Sequence, residues 1–281
     1  MKRLLAALVL VAISAGAQQV GDPNFDTSVA HPAFVRRHPR VLFDEAHHNV
    51  HRTTTTYKAF ADVVTHDGCS VVANDRPFTP ELLARADVLV IAGALGNDNA
   101  DDPHAKDAAF TPSEVAAVRE WVRGGGALLL LTDHEPVASA NADLTRAFGV
   151  EPSRVVVVDR AHHFANFYPT NILATRENGL LRKHAITSGV RRVVIFGGQS
   201  LRFPRGAAIL VGVAGAPASG QAGALRFGRG RVVMTGDMGM LSAQLFTENG
   251  VTNPWGMNVP GIDNRQLVLN IVRWLAPAQL R

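Results

Sequence analysis

The chain has 281 residues, of which 47% are hydrophobic, with 28 Lys and Arg, 24 Asp and Glu, and one cysteine. That length suits one large α/β domain, or a domain with a small appendage. The net charge of +4 is scattered rather than gathered into the basic stripe of a nucleic-acid binder. A lone Cys69 excludes an internal disulfide, and a chain of this size can fold on its core without one.

Residues 1–17 read as an export signal. Lys2 and Arg3 form a positive start, Leu4 to about Ala15 an apolar stretch, and Ala15-Gly16-Ala17 a small-residue cleavage site, with cleavage expected after Ala17. About twelve apolar residues are too few to cross a bilayer, which needs roughly 20. No Cys follows to take a lipid anchor. The expectation is an exported protein, periplasmic or secreted, with a mature net charge of +2 once Lys2 and Arg3 are lost. No later segment is long and charge-free enough to span a membrane.

Residues 18–38 are polar and Pro-containing and read as a mobile leader to a single domain over 39–281. RVLFDEA (40–46) is the first buried strand. The Thr run at 53–56 offers caps for a helix carrying Tyr57, Phe60, Val63 and Val64 on one face. CSVVAND (69–75) is the second strand, and Thr79-Pro80 caps a short helix. ADVLVIAG (86–93) is continuously apolar, as in a parallel sheet covered on both faces.

The Asp- and Asn-rich stretch from Gly96 to Ala109 reads as a lid or a solvated loop. Thr111, Pro112 and Glu114 make a capping box. Its helix ends at Gly124-Gly125-Gly126, before the strand ALLLLT. A helix over 138–148, a strand VVVVD (155–159), and the strands RRVVIF, AAILVGVA and RVVMTG follow. Asp263 and Gln266 predict a capping box for a last helix, QLVLNIVRWLA. The pattern predicts a three-layer α/β/α sandwich with an antiparallel extension in the C-terminal half.

VLFDEAHHN (41–49) invites comparison with a helicase metal-binding strand. That chemistry needs a phosphate loop, G-x-x-x-x-G-K-[ST], and none occurs. The motif has another feature: it follows a strand, as do Asp133-His134-Glu135, Asp159-Arg160-Ala161-His162-His163, and Gly236-Asp237-Met238. Ligands of open parallel sheets sit beyond the carboxyl ends of strands.

A polar pocket is therefore expected from Asp44, Glu45, His47, His48, Asn49, Asp133, His134, Glu135 and Asp237, with His47 or His48 sharing a cleft with His134. His134 is the expected acid/base, oriented by Asp133 or Glu45, with His47 beside them and Asp237 on the rim. Such side chains also suit Zn²⁺ or a similar divalent metal, although no HExxH spacing is present. His162 and His163 read as solvated. Cys69, at a strand entry, reads as a buried hydrophobe. Ser200 lacks the second glycine of a G-x-S-x-G elbow, since Arg202 stands there.

VLFDEAHHN, LLARADVLVIAG, EWVRGGGALLLLTDHEP and GMNVPGIDNRQLVLNIVRWLA together resemble class I glutamine amidotransferase-like domains, over roughly residues 38–278. Within them the chain resembles the exported branch near the ThuA-like and GldG-type domains. The resemblance implies a flavodoxin-like, mostly parallel sheet. It also implies that the nucleophilic Cys of true amidotransferases is replaced by Asp133-His134, so thiolate glutamine hydrolysis is not expected. ThuA-like relatives are linked to sugars, which implies a small polar or carbohydrate-like ligand. The expected function is binding and hydrolysis of that ligand; the alternative is a non-catalytic binding or assembly module of the cell envelope.

Overall fold

The computed structural model describes residues 18–164 and 168–276; the expected signal peptide lies outside them. The strands are β1 (Gln18–Gly21), β2 (Arg40–Asp44), β3 (Ser70–Asn74), β4 (Val88–Ala92), β5 (Ala127–Leu131), β6 (Glu151–Val156) and β7 (Asn171–Thr175). There follow β8 (Arg192–Phe196), β9 (Gln199–Arg202), β10 (Ala208–Val213), β11 (Ala216–Phe227), β12 (Gly230–Thr235), β13 (Ala243–Glu248) and β14 (Val251–Gly256). The helices are α1 (Lys58–His66), α2 (Pro80–Leu83), α3 (Pro112–Arg123), α4 (Val137–Ala140), α5 (Ala142–Ala147) and α6 (Asn264–Leu275).

The main sheet runs β3-β2-β4-β5-β12-β11-β9-β6, with β10 paired to β11. Its first five strands are parallel, and the rest pair antiparallel. This is an α/β protein with an antiparallel part. Because side chains alternate along a strand, each parallel strand feeds two cores. Val41, Phe43, Val88, Val90, Leu129, Leu131 and Val233 pack with α1 and α6. Leu42, Leu89, Ile91, Leu128, Leu130, Val232 and Met234 pack with α2, α3 and α5.

Two small sheets complete the molecule, β7-β8 and β1-β13-β14. The second corrects the expectation of a mobile leader. Gln18 to Gly21 pair antiparallel with Thr247 to Gln244, Asn258 donates to Asp22 at 2.9 Å, and Phe34 is buried in the core. The segment is docked because its few apolar residues, Phe25, Val29 and Ala33, pack on that core.

Smaller differences are local. The helix expected over 138–148 is two, parted at Asn141, whose side chain donates to Ala94 O and Val137 O. Asp263 makes no capping bond to α6; its carboxylate accepts the N–H groups of Arg191 and Arg192 instead. The strand near VVVVD is displaced to 151–156. The Thr53–Thr56 run caps nothing at α1. The 96–109 stretch contains a 3₁₀ turn, Pro103–Lys106, with Ala105 fully buried.

Candidate functional site

The parallel ladder decides which strand-end residues meet. Thr132 still donates to Thr235 O at 3.0 Å, so Asp133 and Asp237 are among the first residues beyond the edge of the β5–β12 pair. Asp133 has the parity of Leu129 and Leu131, and Asp237 that of Val233, so both emerge on the face covered by α1 and α6. A cleft of about 430 Å³ opens there. Its lining includes Asp133, His134 and Glu135 from the loop after β5, Val50 and His51, Met238 and Gly239, and Gln19, Gln244 and Trp255 from the β1-β13-β14 sheet.

Asp133 and His134 form a dyad. His134 Nδ1 lies 2.5 Å from Asp133 Oδ1, and the same oxygen accepts the His134 backbone N–H at 2.8 Å. A carboxylate only accepts, so Nδ1 carries the proton and Nε2 is left as the basic nitrogen. The hydrogen bond to Asp133 is the chief reason that the His134 pKa is raised, against a smaller opposing effect of burial. Asp133 itself is held by two further bonds, and Thr132 beside it by a third. Oδ2 accepts Met238 N–H at 3.2 Å, while Gln199 Nε2 donates to Asp133 O at 2.6 Å and to Thr132 Oγ1 at 3.2 Å.

Behind the dyad sits Asp237, fully buried, accepting Phe196 N–H and Gly239 N–H at 2.6 Å each. Burial, then the nearby Asp133 charge, push its pKa up to about 7. Tyr57, also fully buried, donates to Met238 O at 2.5 Å. Burial, with Asp237 and Asp133 adding to it, puts its hydroxyl well above the ordinary value. His51 packs on that ring at 4.7 Å and bonds Thr56 Oγ1 through Nδ1; burial drops its pKa to about 4, so it is a neutral wall residue.

The DEAHHN residues go elsewhere. Asp44 has the parity of Leu42, so it faces the α2/α3 side. There His47 bridges Asp44 (2.9 Å) and Glu114 (2.9 Å) between the rings of Phe78 and Phe110. Asn49 closes the knot by donating to Asp44 Oδ2 and accepting His47 N–H. Glu45 accepts both the N–H and the hydroxyl of Thr53. His48 is exposed with a φ of 48°. None of Asp44, Glu45, His47, His48 or Asn49 lines the cleft. The expected sharing of one cleft by the two motifs is therefore corrected: β4 separates β2 from β5, and the one-residue difference in parity sends the motifs to opposite faces.

Of the other expected site residues, Glu135 lines the cleft and accepts Ser139 Oγ–H at 2.6 Å. Cys69 is buried, and burial first among several effects pushes its thiol to about 12. Asp159 bonds His162 in a separate loop. Among the described residues no group of three or more His, Cys, Asp and Glu could hold a metal ion. No helix among the described residues is long and apolar enough to cross a membrane. Sequence reasoning missed Trp255, Gln244, Gln19, Gln199 and His51. Only His51, three residues beyond His48, had a neighbouring signal.

No family model and no curated protein matches the chain. Solved structures do. The mmIFT52 N-terminal domain aligns with TM-score 0.65 and 15% identity, over 86% of this chain and 99% of its own. A cytoplasmic protein from Salmonella typhimurium aligns with TM-score 0.51 and 15% identity, over 84% and 99%. At such identities the likeness is one of fold alone. A ThuA-like protein from Bacteroides uniformis aligns with TM-score 0.47 and 11% identity, over 91% and 95%, too loosely to argue from.

Proposed function

We propose that this is an exported protein of glutamine amidotransferase-like fold whose cleft binds a small polar, sugar-like ligand and hydrolyses it with His134 as the base. Helices on both faces of the parallel strands support the three-layer, flavodoxin-like reading. The N-terminal sequence pattern supports export. The observation that carries the chemistry is the Asp133–His134 dyad on the cleft wall, with Nδ1 committed to the carboxylate and Nε2 basic.

In this reading a water bound in the cleft loses its proton to Nε2 as it attacks the ligand, and the imidazolium then returns that proton to the leaving group. Asp133 fixes the tautomer and stabilises the imidazolium. Gln199 and Met238 N–H keep Asp133 in place, which is the buttressing that a preorganised base requires.

A binding module without catalysis is the second reading. It is favoured by one observation: no Ser or Cys is among the residues lining the cleft. Turnover of a panel of glycosides and esters separates the two. The catalytic reading expects turnover by the wild type that His134→Ala abolishes while the fold persists. A wild type inactive on every member leaves the binding module.

A further inference from the structure

The Asp133–His134 dyad accounts for only part of the cleft; another part is built by the small sheet. We propose that the cleft-facing side of β1-β13-β14 is a recognition subsite for a neutral, pyranose-type sugar ring, with Trp255 as its stacking plate and Gln244 as the acceptor for one ring hydroxyl. This rests on reading the cleft as a ligand site, and it adds the class of ligand and the residues that choose it.

The register places these groups together. Gln244 pairs directly with Trp255 on β14 and with Gly21 on β1, while Gln19 pairs with Phe246. Directly opposed residues share a face, so Gln19, Gln244, Phe246 and Trp255 stand on one side, and three of these four line the cleft. At Gly21 the strand passes close to the Thr55 carbonyl, which a Cβ there would meet at 2.8 Å. The Trp255 ring packs against Phe196, at 4.9 Å between centroids, and against Phe246, at 5.1 Å, both tilted. An aromatic plate held this way loses little freedom when an apolar ring face settles on it.

Gln244 supplies the polar half. It is 1% exposed. Its Nε2 donates to Ser242 Oγ at 2.6 Å, and the Ser242 hydroxyl is itself spent on Gly239 O at 2.8 Å. The amide cannot usefully turn over, because Oε1 would then face an oxygen whose hydrogen is already committed. Oε1 therefore remains a buried acceptor without a partner. Among the described residues, the other buried side-chain atoms without partners belong to Asn141, Asn171, Gln221 and Arg265, none of which lines the cleft. A buried acceptor left unmet is costly, and a ligand hydroxyl would satisfy it.

The chemistry selects among ligands. No Lys or Arg lines the cleft, whereas Asp133 and Glu135 do, which disfavours sugar acids and phosphates. A quaternary ammonium would suit an aromatic and acidic wall, but it has no donor for Gln244 Oε1. A neutral ring with an apolar face and several hydroxyls meets every group present, and about 430 Å³ lies in the range of small-ligand clefts.

The test is titration of the purified protein, by tryptophan fluorescence and calorimetry, with glucose, galactose, mannose, N-acetylglucosamine, cellobiose and maltose. Glucuronate and tetramethylammonium are the charged comparators. The expected result is saturable binding of at least one neutral sugar and of neither comparator. Gln244→Leu and Trp255→Leu should weaken it by about tenfold or more, since a lost buried partner of this kind is of that order. Gln19→Ala should weaken it less.

Thermal melts identify any variant that fails to fold. Should Trp255→Leu be one, Gln244→Leu and Gln19→Ala carry the test. No saturable sugar binding, preference for tetramethylammonium, or binding that Gln244→Leu leaves unchanged would overturn the subsite. Sugar binding without turnover would remove the catalytic role of His134 and leave the subsite standing.

Discussion

Asp133 Oδ1 takes two hydrogen bonds from one neighbour, the backbone N–H of His134 at 2.8 Å and its ring Nδ1 at 2.5 Å. Adjacent residues in an extended strand point apart; here the chain has just left the sheet and folds the imidazole back onto the carboxylate. His134 keeps about half of its side chain exposed, whereas Asp133 is nearly covered. The pair thus has a buried orienting end and an accessible basic end.

Asp133→Asn tests that polarity. Asn is a weaker acceptor for Nδ1–H, so turnover is expected to fall about 10²-fold or more. The sign of the pH effect also follows. Asp133 raises the His134 pKa, and the base must be neutral to act, so the variant's acidic limb should move to lower pH. The pH–rate profile checks this; an unmoved limb would remove Asp133 from the role.

The His47 clasp is a matter of stability. His47→Ala leaves the buried Asp44 and Glu114 carboxylates without the imidazole between them, and a loss of about 3 kcal/mol is expected in denaturant unfolding. Burial alone would lower the His47 pKa, but bonds to Asp44 and Glu114 outweigh it and raise it. Burial would raise Glu114, but bonds from Thr111, His47 and Phe78 bring it to about 2.

A raised His contributes stability below its unfolded value of 6.5 that is lost as pH rises through the folded value. A lowered Glu contributes stability above its unfolded value of 4.5 that is lost as pH falls toward about 2. The clasp should therefore be strongest between those unfolded values, and the wild-type advantage over His47→Ala should peak there.

Asp237 gives the opposite trend for a carboxyl. Its pKa is raised from 3.8 to about 7, so its contribution is full below 3.8 and is lost as pH climbs to about 7. The melting temperature of Asp237→Asn relative to wild type should rise across that window. A constant difference would mean that the carboxyl does not titrate there.

Parity explains how much was legible. The parallel core strands and the capping box at Thr111 could be read directly, because apolar runs and local polar patterns encode them, whereas for His134 the sequence left Asp133 and Glu45 both open as partners. The pocket membership of Asp44 and His47 could not be read from their position after a strand. What mattered was that Asp44 sits two residues after Leu42 and Asp133 two after Leu131, and that the inter-strand register puts those leucines on opposite faces. Register is a non-local property. Trp255 and Gln244 were invisible for the same reason: only their pairing with each other and with β1 brings them to the cleft.

Deleting residues 18–21 tests the docked N-terminal strand. The deletion removes the β1–β13 pairing and Gln19 from the cleft. Both a lower melting temperature and weaker sugar binding are expected. Loss of neither would mean that the strand contributes nothing to the site.

The most direct measurement is turnover by the wild type and His134→Ala on the glycoside and ester panel, repeated for the variant with added imidazole. The account predicts wild-type hydrolysis of at least one neutral substrate, loss of about 10²-fold or more in the variant, and partial recovery with imidazole, since a free base can replace a missing one. A variant as active as the wild type, or a variant whose loss tracks only a lowered melting temperature and which imidazole does not restore, would contradict it.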